Sequence, residues 1–170
     1  MSKNDICIYG DLVLKQKAAP VVEFDEKLKQ TADEMFETMI ETDGIGLAAP
    51  QVDISKAFLV IGMPHDNEEV ERLFFANPEI LETRGEIGLE EGCLSIPGIR
   101  EEVVRPEWIR LRYQDLQGRL HEMETDGLLA RVLQHEIDHL NGILFTDRLS
   151  PAKRGLLKGA LEKLANSAGT

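Results

Sequence analysis

The stretch QHEIDHL, residues 134–140, decides the fold because its polar residues lie within an otherwise apolar segment. The segment predicts a helix from about Gly127 to Asn141. Thr125 or Asp126 is the expected N-cap, and Gly142 is the expected stop signal. A helix with apolar residues on nearly all sides is buried, so we place this one at the centre of the protein. Its apolar residues are Leu128, Leu129, Val132, Leu133, Ile137 and Leu140.

Short strands joined by turns are predicted around this helix. The clearest is EWIRLRYQD (107–115), where apolar residues alternate with arginines as in a half-buried strand. The turn sequence DLQG (115–118) then leads into RLHEMET (119–125), which predicts an antiparallel hairpin. Further strands are predicted at KAFLVIG (56–62), RLFFAN (72–77) and EEVVRP (101–106).

Two more helices are predicted near the ends of the chain. Asp25 is the expected N-cap of the first, which ends at Gly44. Ser150 and Pro151 begin the last helix as N-cap and first helical residue. The whole pattern predicts an α+β fold, a single domain over residues 1–170 in which antiparallel β-sheets pack around a central buried H-E-x-x-H helix, with a C-terminal helix. The apolar stripes of the two end helices are Leu28, Ala32, Met35, Phe36, Met39 and Ile40, and Leu156, Leu157, Ala160, Leu161 and Leu164.

Composition narrows the classes of function. The chain carries 31 acidic and 19 basic residues, a net charge of −12, so we expect no binding of free DNA through general attraction to phosphates. No run approaches the ~18 apolar residues of a membrane span, so no membrane partner is expected. The opening MSKNDICIYG lacks the pattern of a signal peptide, which predicts a cytoplasmic location. In that reducing compartment Cys7 and Cys93 are not expected to form a disulfide.

The H-E-x-x-H motif indicates a chemical role for the central helix. His135 and His139 are four residues apart, so both imidazoles project from one face and can share a metal ion. Glu136 lies ~100° around the helix, close enough to act on a water molecule at that ion. Buried histidines beside carboxylates need partners, and a bound ion would satisfy them. The motif therefore predicts a metal site.

A catalytic site of this type needs a third protein ligand and one open position. The extended motif H-E-x-x-H-x-x-G-x-x-H does not supply the ligand, because Phe145 stands where the last histidine would be. Cys93 is the better candidate, since a thiolate is a strong ligand for Zn²⁺ or Fe²⁺. Glu162 or Asp147 as third ligand would suit a zinc endopeptidase, and Cys7 as a fourth ligand would suit a structural metal module. Spacing alone leaves these alternatives open.

Three motifs in a particular order point to one family. GIGLAAPQ (44–51), EGCLS (91–95) and QHEIDH (134–139) resemble the three signature motifs of the peptide deformylases. The resemblance extends over most of the chain, including the MFETM helix before the first motif and the C-terminal helix of the bacterial type. It implies an enzyme that removes the N-formyl group from the N-terminal formylmethionine of newly synthesised proteins, by metal-activated water, and releases formate.

The resemblance also implies the metal site and its chemistry. Cys93 would be the third ligand beside His135 and His139, and the site would hold one Fe²⁺ per chain, with Zn²⁺, Ni²⁺ or Co²⁺ as substitutes. Glu136 would take a proton from the activated water and deliver it to the departing amine. The three side chains would thus be metal ligands and Glu136 the general base.

The resemblance further implies an oxyanion hole, made by the side-chain amide of Gln51 and the backbone N–H of Leu94. The stretch DGIGLAAPQVD (43–53) carries too much glycine and proline for a helix or a regular strand. We therefore expect a fixed, irregular loop that aims the Gln51 amide.

Helical geometry indicates where the substrate side chain would lie. Leu128 and Val132 come seven and three residues before His135, on the same helical face, where they can receive an unbranched apolar side chain such as methionine. The resemblance implies that the rest of the peptide pairs as a strand with Ile45–Gly46 and Gly92, and that Arg100 meets the residue after methionine. The family lines its methionine pocket at positions matching Ile45, Leu89, Leu128 and Val132.

Two charged features, Arg131 and the segment 151–170, each have two interpretations. Its helical angle places Arg131 at the edge of the predicted pocket, and the alternative is a pair with Asp138 or a solvated rim charge. The segment 151–170 carries four basic residues and one acidic residue. The resemblance implies that this helix contacts the ribosome, whereas the alternative is an amphipathic helix that only covers the core.

Overall fold

The computed structural model describes residues 5–67 and 69–168. Within these residues, three α-helices and seven strands follow one another along the chain, joined by turns and short 3-10 segments. The helices are α1 (Glu26–Glu41), α2 (Gly127–Leu140) and α3 (Pro151–Ala168). The strands are β1 (Gly46–Ala48), β2 (Phe58–Pro64), β3 (Val70–Arg84), β4 (Ile87–Cys93), β5 (Ile96–Arg105), β6 (Trp108–Gln114) and β7 (Leu120–Asp126).

The strands form two antiparallel sheets. One sheet has five strands in the order β1-β2-β3-β6-β7, and the other is the pair β4-β5. Strands β6 and β7 are the predicted hairpin, in which the N–H of Gly118 donates to the carbonyl of Asp115 at 3.0 Å. Among the described strands, β1 pairs only with β2 and β4 only with β5, so each keeps one free edge. The predicted α+β class with antiparallel sheets and a C-terminal helix is confirmed.

Helix α2 packs against the five-stranded sheet. Leu133 and Ile137 belong to one buried core cluster with Ile61, Ile109 and Leu111 from β2 and β6. Asp126 takes the N-cap position, although its side chain makes no capping hydrogen bond. The opposite side of the helix is also buried but polar, so its side chains need partners inside the protein. These buried polar residues are Arg131, Gln134, Glu136, Asp138 and His139.

The β4-β5 pair has an apolar core of its own. Ile96, Ile99 and Val103 cluster with Leu144 and Phe145 from the segment after α2. The same cluster contains buried residues from the N-terminal segment and from α3, namely Leu14 and Leu161. The sequence did not predict strand β4. Its Gly88 and Gly92 weaken any strand signal, and pairing with β5 overrides them.

The segment 43–53 is more regular than its composition predicts. Gly46–Ala48 form β1, in which Gly46 lies opposite Ile61 of β2, and Ala49–Val52 form a 3-10 turn. The prediction of a loop without a strand is wrong here, because the neighbouring strand offers hydrogen-bond partners that outweigh local propensity. Pro50 fits because it lies in the first turn of the 3-10 segment, where its missing N–H is not needed.

The two end helices begin as predicted but differ in detail. The Asp25 carboxylate accepts from the N–H of Leu28 at 3.0 Å, and Ser150 Oγ accepts from the N–H of Lys153 at 3.2 Å. Helix α1 ends before Gly44, because Asp43 takes the left-handed conformation with φ 56°. No helix in the described ranges is both long and apolar enough to cross a membrane.

The predicted apolar stripe of α3 is only partly correct. Leu161 is buried, and Leu157 and Leu164 pack beside it against the β4-β5 core. Leu156 is 86% exposed and Ala160 is exposed, because only one narrow side of the helix meets the rest of the protein.

Candidate active site

The three residues predicted as metal ligands come together in space. Cys93 lies at the end of β4, and His135 and His139 lie one turn apart on α2. Their ligand atoms are all within 4.8 Å of one another, and Sγ of Cys93 is 3.3 Å from Nε2 of His139. In the parts of the chain that the structure describes, this is the one group of three or more Cys, His, Asp or Glu side chains with such spacing.

A buried carboxylate orients the first histidine. Nδ1 of His135 is 2.8 Å from Oε1 of Glu91. Burial alone would raise the pKa of Glu91, but hydrogen bonds from His135 and Arg105 lower this pKa to about 2, so the carboxylate is an acceptor. Nδ1 of His135 therefore donates, and Nε2 remains available for a ligand bond.

The electrostatics of the two histidines fit a cation. Burial lowers the pKa of His139 well below its ordinary value, which favours the neutral imidazole that binds metal. Burial acts in the same direction on His135, but hydrogen bonds with Cys93 and Glu91 raise its pKa well above the ordinary value. The negative charge around His135 thus favours a positive charge at this point, which a metal ion provides.

Two buried polar atoms at the site lack partners. They are Nδ1 of His139 and Oε2 of Glu136, neither of which has a hydrogen bond to the described residues. Buried polar atoms are rarely left unsatisfied, so these two atoms call for polar partners that the described residues do not supply. A sulfur and two imidazole nitrogens form a donor set suited to Zn²⁺ or Fe²⁺, and the residues present fit a divalent metal ion.

Glu136 is placed to exchange protons at the ligand group. Its Oε1 is 3.8 Å from Nε2 of His135, and burial raises the pKa of the carboxyl to about 7. Such a pKa suits a general base near neutral pH. A Cβ on Gly46 would lie 2.9 Å from Cγ of Glu136 and 2.9 Å from Cγ1 of Val132, so glycine lets β1 approach α2 here.

The side-chain amide of Gln51 has a defined orientation. Its Oε1 accepts from the N–H of Ala48 at 2.9 Å, so the NH₂ group must point the other way. Nε2 donates to Oγ of Ser95 at 3.1 Å and lies 3.6 Å from Sγ of Cys93. The backbone N–H of Cys7 donates to the carbonyl of Gln51 at 2.7 Å, which ties the N-terminal segment to this turn.

An open cleft of about 860 Å³ lies in front of the ligand group. It is bordered by the free edges of β1 and β4, which belong to different sheets. Most residues predicted to bind substrate line it, namely Ile45, Gly46, Gly92, Arg100, Leu128 and Val132, together with Gln51, Leu94 and Glu136.

Leu89 is the exception among the predicted pocket residues. It lies on β4 opposite Val103 and is 43% exposed, outside the lining of this cleft. Leu89 lies two residues before Glu91 on β4, so both side chains point to the same face of the strand, and its part in the pocket stays a prediction.

Arg131 lines the cleft, as its helical angle indicates, whereas its interpretation as a partner of Asp138 or a solvated rim charge is wrong. Arg131 is buried rather than at a solvated rim, and it donates to Glu91 and to the carbonyls of Val103 and Ile87. Asp138 is paired with other residues, Arg105 at 2.8 Å and Arg148 at 2.7 Å.

Three residues beside the ligand group, Glu91, Arg105 and Ser95, were not among the predicted site residues. A signal was available for Glu91, because it lies two positions before the candidate ligand Cys93, and residues two apart in an extended segment point to the same side. No comparable local signal marks Arg105, because its partners are distant in sequence.

The side chains considered as alternative ligands do not join this group. Asp147 accepts from the N–H of Leu144 at 2.9 Å and lies 3.5 Å from Nζ of Lys15, and Glu162 is exposed on α3. Cys7 is half-buried and free, and no fourth ligand joins the group within residues 5–67 and 69–168. Three ligands beside an open cleft, with a carboxyl next to them, define the class of metal-dependent hydrolases.

The family within this class follows from comparison with known proteins. A family model described as Polypeptide deformylase matches residues 3–155, and the chain belongs to the peptide deformylase family. The chain is 49% identical to a peptide deformylase of Acidobacterium capsulatum over 164 residues, which are 96% of each chain. Members of this family are metal-dependent hydrolases that remove the N-formyl group from newly synthesised peptides, and that is the activity of this protein.

Solved structures agree with this assignment. The crystal structure of peptide deformylase from Thermus thermophilus is similar with a TM-score of 0.89 and 43% identity, over 96% of this chain and 98% of that one. A plant peptide deformylase gives a TM-score of 0.90 at 38% identity, over 94% of this chain and 88% of that one. The likeness therefore covers the whole arrangement of sheets and helices.

Proposed function

We propose that Cys93, His135 and His139 hold one Fe²⁺ per chain and that Glu136 is the general base in deformylation. The observation that carries this proposal is the 3.3 Å separation of Sγ of Cys93 and Nε2 of His139, with the Glu136 carboxyl beside them. Zn²⁺, Ni²⁺ or Co²⁺ are substitutes that the same donor set accepts.

The proton chemistry is assigned to Glu136. A divalent cation bound at this site supplies Lewis acidity, which lowers the pKa of a water molecule and polarises the formyl carbonyl. Glu136 accepts the proton of that water and later donates it to the nitrogen of the methionine. Burial supports this role, because it removes competing water and favours a carboxyl that gains and loses a proton near neutral pH.

The oxyanion that develops on the formyl oxygen needs hydrogen-bond donors. We assign this role to the side-chain NH₂ of Gln51 and the backbone N–H of Leu94, which lies in the turn directly after Cys93. The bond from Ala48 to Oε1 of Gln51 supports the assignment, since it orients the amide before substrate arrives. An amide that is already oriented loses little entropy when it meets the transition state.

The substrate methionine is expected in the part of the cleft lined by Leu128, Val132 and Ile45. Leu128 is 43% exposed and Ile45 is 37% exposed, although both are large apolar side chains. Covering them with an apolar substrate side chain contributes about 25 cal/mol for each Å² removed from water. Leu89, on the same face of β4 as Glu91, stays a predicted member of this pocket.

The rest of the peptide is proposed to bind as an added strand. The free edges of β1 and β4 border the cleft from opposite sides, so an extended peptide between Gly46 and Gly92 finds backbone partners on both. Arg100 extends beside Gly92, since a Cβ there would lie 2.7 Å from its Nη1. From this position it can contact the residue that follows methionine.

The remaining proposals concern the protein in its cell. We propose a cytoplasmic location, because formylated nascent chains are made there, and a single domain over residues 1–170, which the match over 3–155 supports. We also propose that α3 contacts the ribosome. Its Lys158 and Lys163 are exposed, and within the described residues neither side chain makes an ion pair.

Turnover of a defined peptide tests the proposed function. The protein, loaded with Fe²⁺ and kept without oxygen, should release formate from formyl-Met-Ala-Ser, and a chelator should abolish release until metal is restored. Acetyl-Met-Ala-Ser is the matched control and should not be hydrolysed. Absence of formate release from the fully loaded protein would reject the proposal.

A further inference from the structure

The metal ligands come from two parts of the protein with separate apolar cores. Helix α2, which carries both histidines, shares its core cluster with the five-stranded sheet. Strand β4, which ends at Cys93, belongs to the sheet whose core lies with the N-terminal segment and α3. No backbone ladder joins β4 or β5 to the five-stranded sheet in the described residues. The separation of Cys93 from the histidines therefore depends on the contacts between α2 and the β4-β5 pair.

These contacts are a layer of buried charges. The four members are two carboxylates and two guanidiniums, so their formal charges balance within the layer. Each is less than 9% exposed, and a buried charge without a partner costs several kcal/mol. They are Glu91 on β4, Arg105 on β5, and Arg131 and Asp138 on α2.

Arg105 joins the two sides from β5, and Arg131 joins them from α2. Nε and Nη2 of Arg105 donate to the two oxygens of Glu91 at 2.6 and 3.0 Å, and its Nη1 donates to Oδ2 of Asp138 at 2.8 Å. Glu91 in turn holds Nδ1 of His135 and lies two residues before Cys93 on the same strand. One guanidinium thus links the strand of the cysteine ligand to the helix of the histidine ligands.

The other members make different contacts from those of Arg105. The side chain of Arg131 extends from α2, the helix that also carries Asp138, and donates to Glu91, but it makes no bond to Asp138. Arg148 binds Asp138 from outside the layer, and its side chain is 47% exposed. Without the fork of Arg105, Glu91 loses two of its donors and keeps Arg131 and His135, while Asp138 loses its buried partner, so the carboxylate that orients His135 is held less firmly.

We propose that Arg105 is a positioning residue of the metal site, which acts through Glu91 and Asp138 to hold Cys93 and His135 at the separation that the ion requires. This inference rests on the ligand set of the proposed function. Contacts to the partners of metal ligands typically change metal affinity 10- to 100-fold.

The test compares Arg105→Lys with a matched control. Lysine keeps the charge but offers one ammonium in place of the fork, so it cannot bond both oxygens of Glu91 and also Asp138. Arg112→Lys is the control, because Arg112 lies on β6 and pairs with Glu79 at the surface. Both variants and the unaltered protein are titrated with Co²⁺ against a competing chelator, at a temperature where circular dichroism shows each to be folded.

Arg105→Lys should bind Co²⁺ about 10- to 100-fold more weakly. It should also show a weaker near-ultraviolet absorption from the thiolate–Co²⁺ bond and faster alkylation of Cys93 in the metal-loaded state. Arg112→Lys should match the unaltered protein in all three measurements. A purely structural role predicts a lower free energy of unfolding with unchanged affinity of the folded protein, and that result would overturn the inference.

Two further outcomes keep the test decisive. If Arg105→Lys does not fold, Asp138→Asn replaces it, since it weakens the contacts of Asp138 with Arg105 and Arg148, leaves the bonds between Arg105 and Glu91 in place, and should reduce Co²⁺ affinity in the same direction. Unchanged affinity of Asp138→Asn then overturns the inference. If the unaltered protein binds Co²⁺ without the thiolate absorption, the ligand set of the proposed function fails as well. Unchanged Arg105→Lys in a protein that shows this absorption rejects the positioning role alone.

Discussion

Sγ of Cys93 and Nε2 of His139 lie 3.3 Å apart, although 46 positions separate the two residues in the chain. The cysteine ends a strand of the two-stranded sheet, and the histidine lies in the last turn of a helix packed on the other sheet. A sulfur and an imidazole nitrogen at this separation can bind one ion from two sides. The reactivity of the thiol and the effect of replacing it both depend on this relationship.

Alkylation of Cys93 should depend on bound metal. A thiolate that ligates an ion is shielded, so iodoacetamide should modify Cys93 much faster after a chelator removes the metal. The measurement uses a Cys7→Ala background, in which Cys93 is the only thiol of the chain. A nucleophilic cysteine would instead be alkylated in the loaded enzyme with loss of activity.

Substitution of Cys93 extends the same prediction. Cys93→Ala should bind metal poorly and lose formate release, whereas Cys93→Asp should hold Zn²⁺ with weak residual activity because an oxygen ligand changes the charge around the ion. Cys7→Ala is the control and should retain metal and activity. A Cys93→Ala protein with stoichiometric metal and full activity would show that the third ligand lies elsewhere.

Glu136→Gln should retain metal and fold but lose about 10²- to 10⁴-fold in kcat, as expected for removal of a general base. The measurement combines metal analysis with the rate of formate release from formyl-Met-Ala-Ser. Glu162→Gln on the exposed side of α3 is the matched control and should leave both quantities unchanged. Near-normal turnover by metal-loaded Glu136→Gln would contradict the assignment.

Val132→Phe should obstruct the methionine pocket. The Val132 side chain lines the cleft beside Gly46, so a larger group there should lower kcat/KM for formyl-Met peptides by about 10- to 100-fold with metal content unchanged. Val104→Phe is the control, since Val104 is 56% exposed on β5 and does not line the cleft. Equal kinetics for the two variants would mean that methionine binds elsewhere.

The free energy of unfolding of Glu91→Gln should depend less on pH than that of the parent protein. The pKa of Glu91 is lowered from its ordinary 4.5 to about 2 in the folded protein, so its contribution is complete above about pH 5 and is lost as the pH falls towards 2. The free energy of unfolding of the metal-free parent and variant is measured in urea. The difference between the two should become smaller by about 3 kcal/mol as the pH falls from 5 to 2.

Glu79→Gln supplies the comparison for that titration. Glu79 pairs with Arg112 at the surface, where an ion pair contributes about 0–1 kcal/mol. Its stability difference from the parent should be small at every pH. A difference for Glu91→Gln that stays constant between pH 5 and pH 2 would contradict the role of the ionised Glu91 carboxylate.

Reversing charges on α3 should weaken co-sedimentation with ribosomes. Lys158→Glu/Lys163→Glu is the informative pair, because Lys153 contacts Glu101 and Arg154 holds the carbonyls before the helix, so changing those two would also disturb the fold. We expect a several-fold smaller bound fraction at low salt, with turnover of free peptide unchanged. Lys17→Glu/Lys27→Glu, on another exposed surface, should bind as the parent does. Equal binding by all three proteins would reject docking.

The sequence by itself predicted the three helices, five of the seven described strands and many of the residues that line the candidate site. The pitch of a helix places His135, Glu136 and His139 near one another wherever that helix lies, because the geometry is local. The end signals at Asp25 and Ser150 are local in the same way, and each makes the expected capping bond. Resemblance in three motifs then pointed to Cys93, which no spacing rule could select.

Only the tertiary structure decided how distant segments meet. Strand β1 forms in a segment rich in glycine and proline because β2 offers it hydrogen-bond partners. Strand β4 forms despite Gly88 and Gly92 because β5 pairs with it. Arg105 joins Glu91 to Asp138 across separations of 14 and 33 positions. Such contacts depend on which surfaces the packed cores bring together, and local propensity carries no information about that packing.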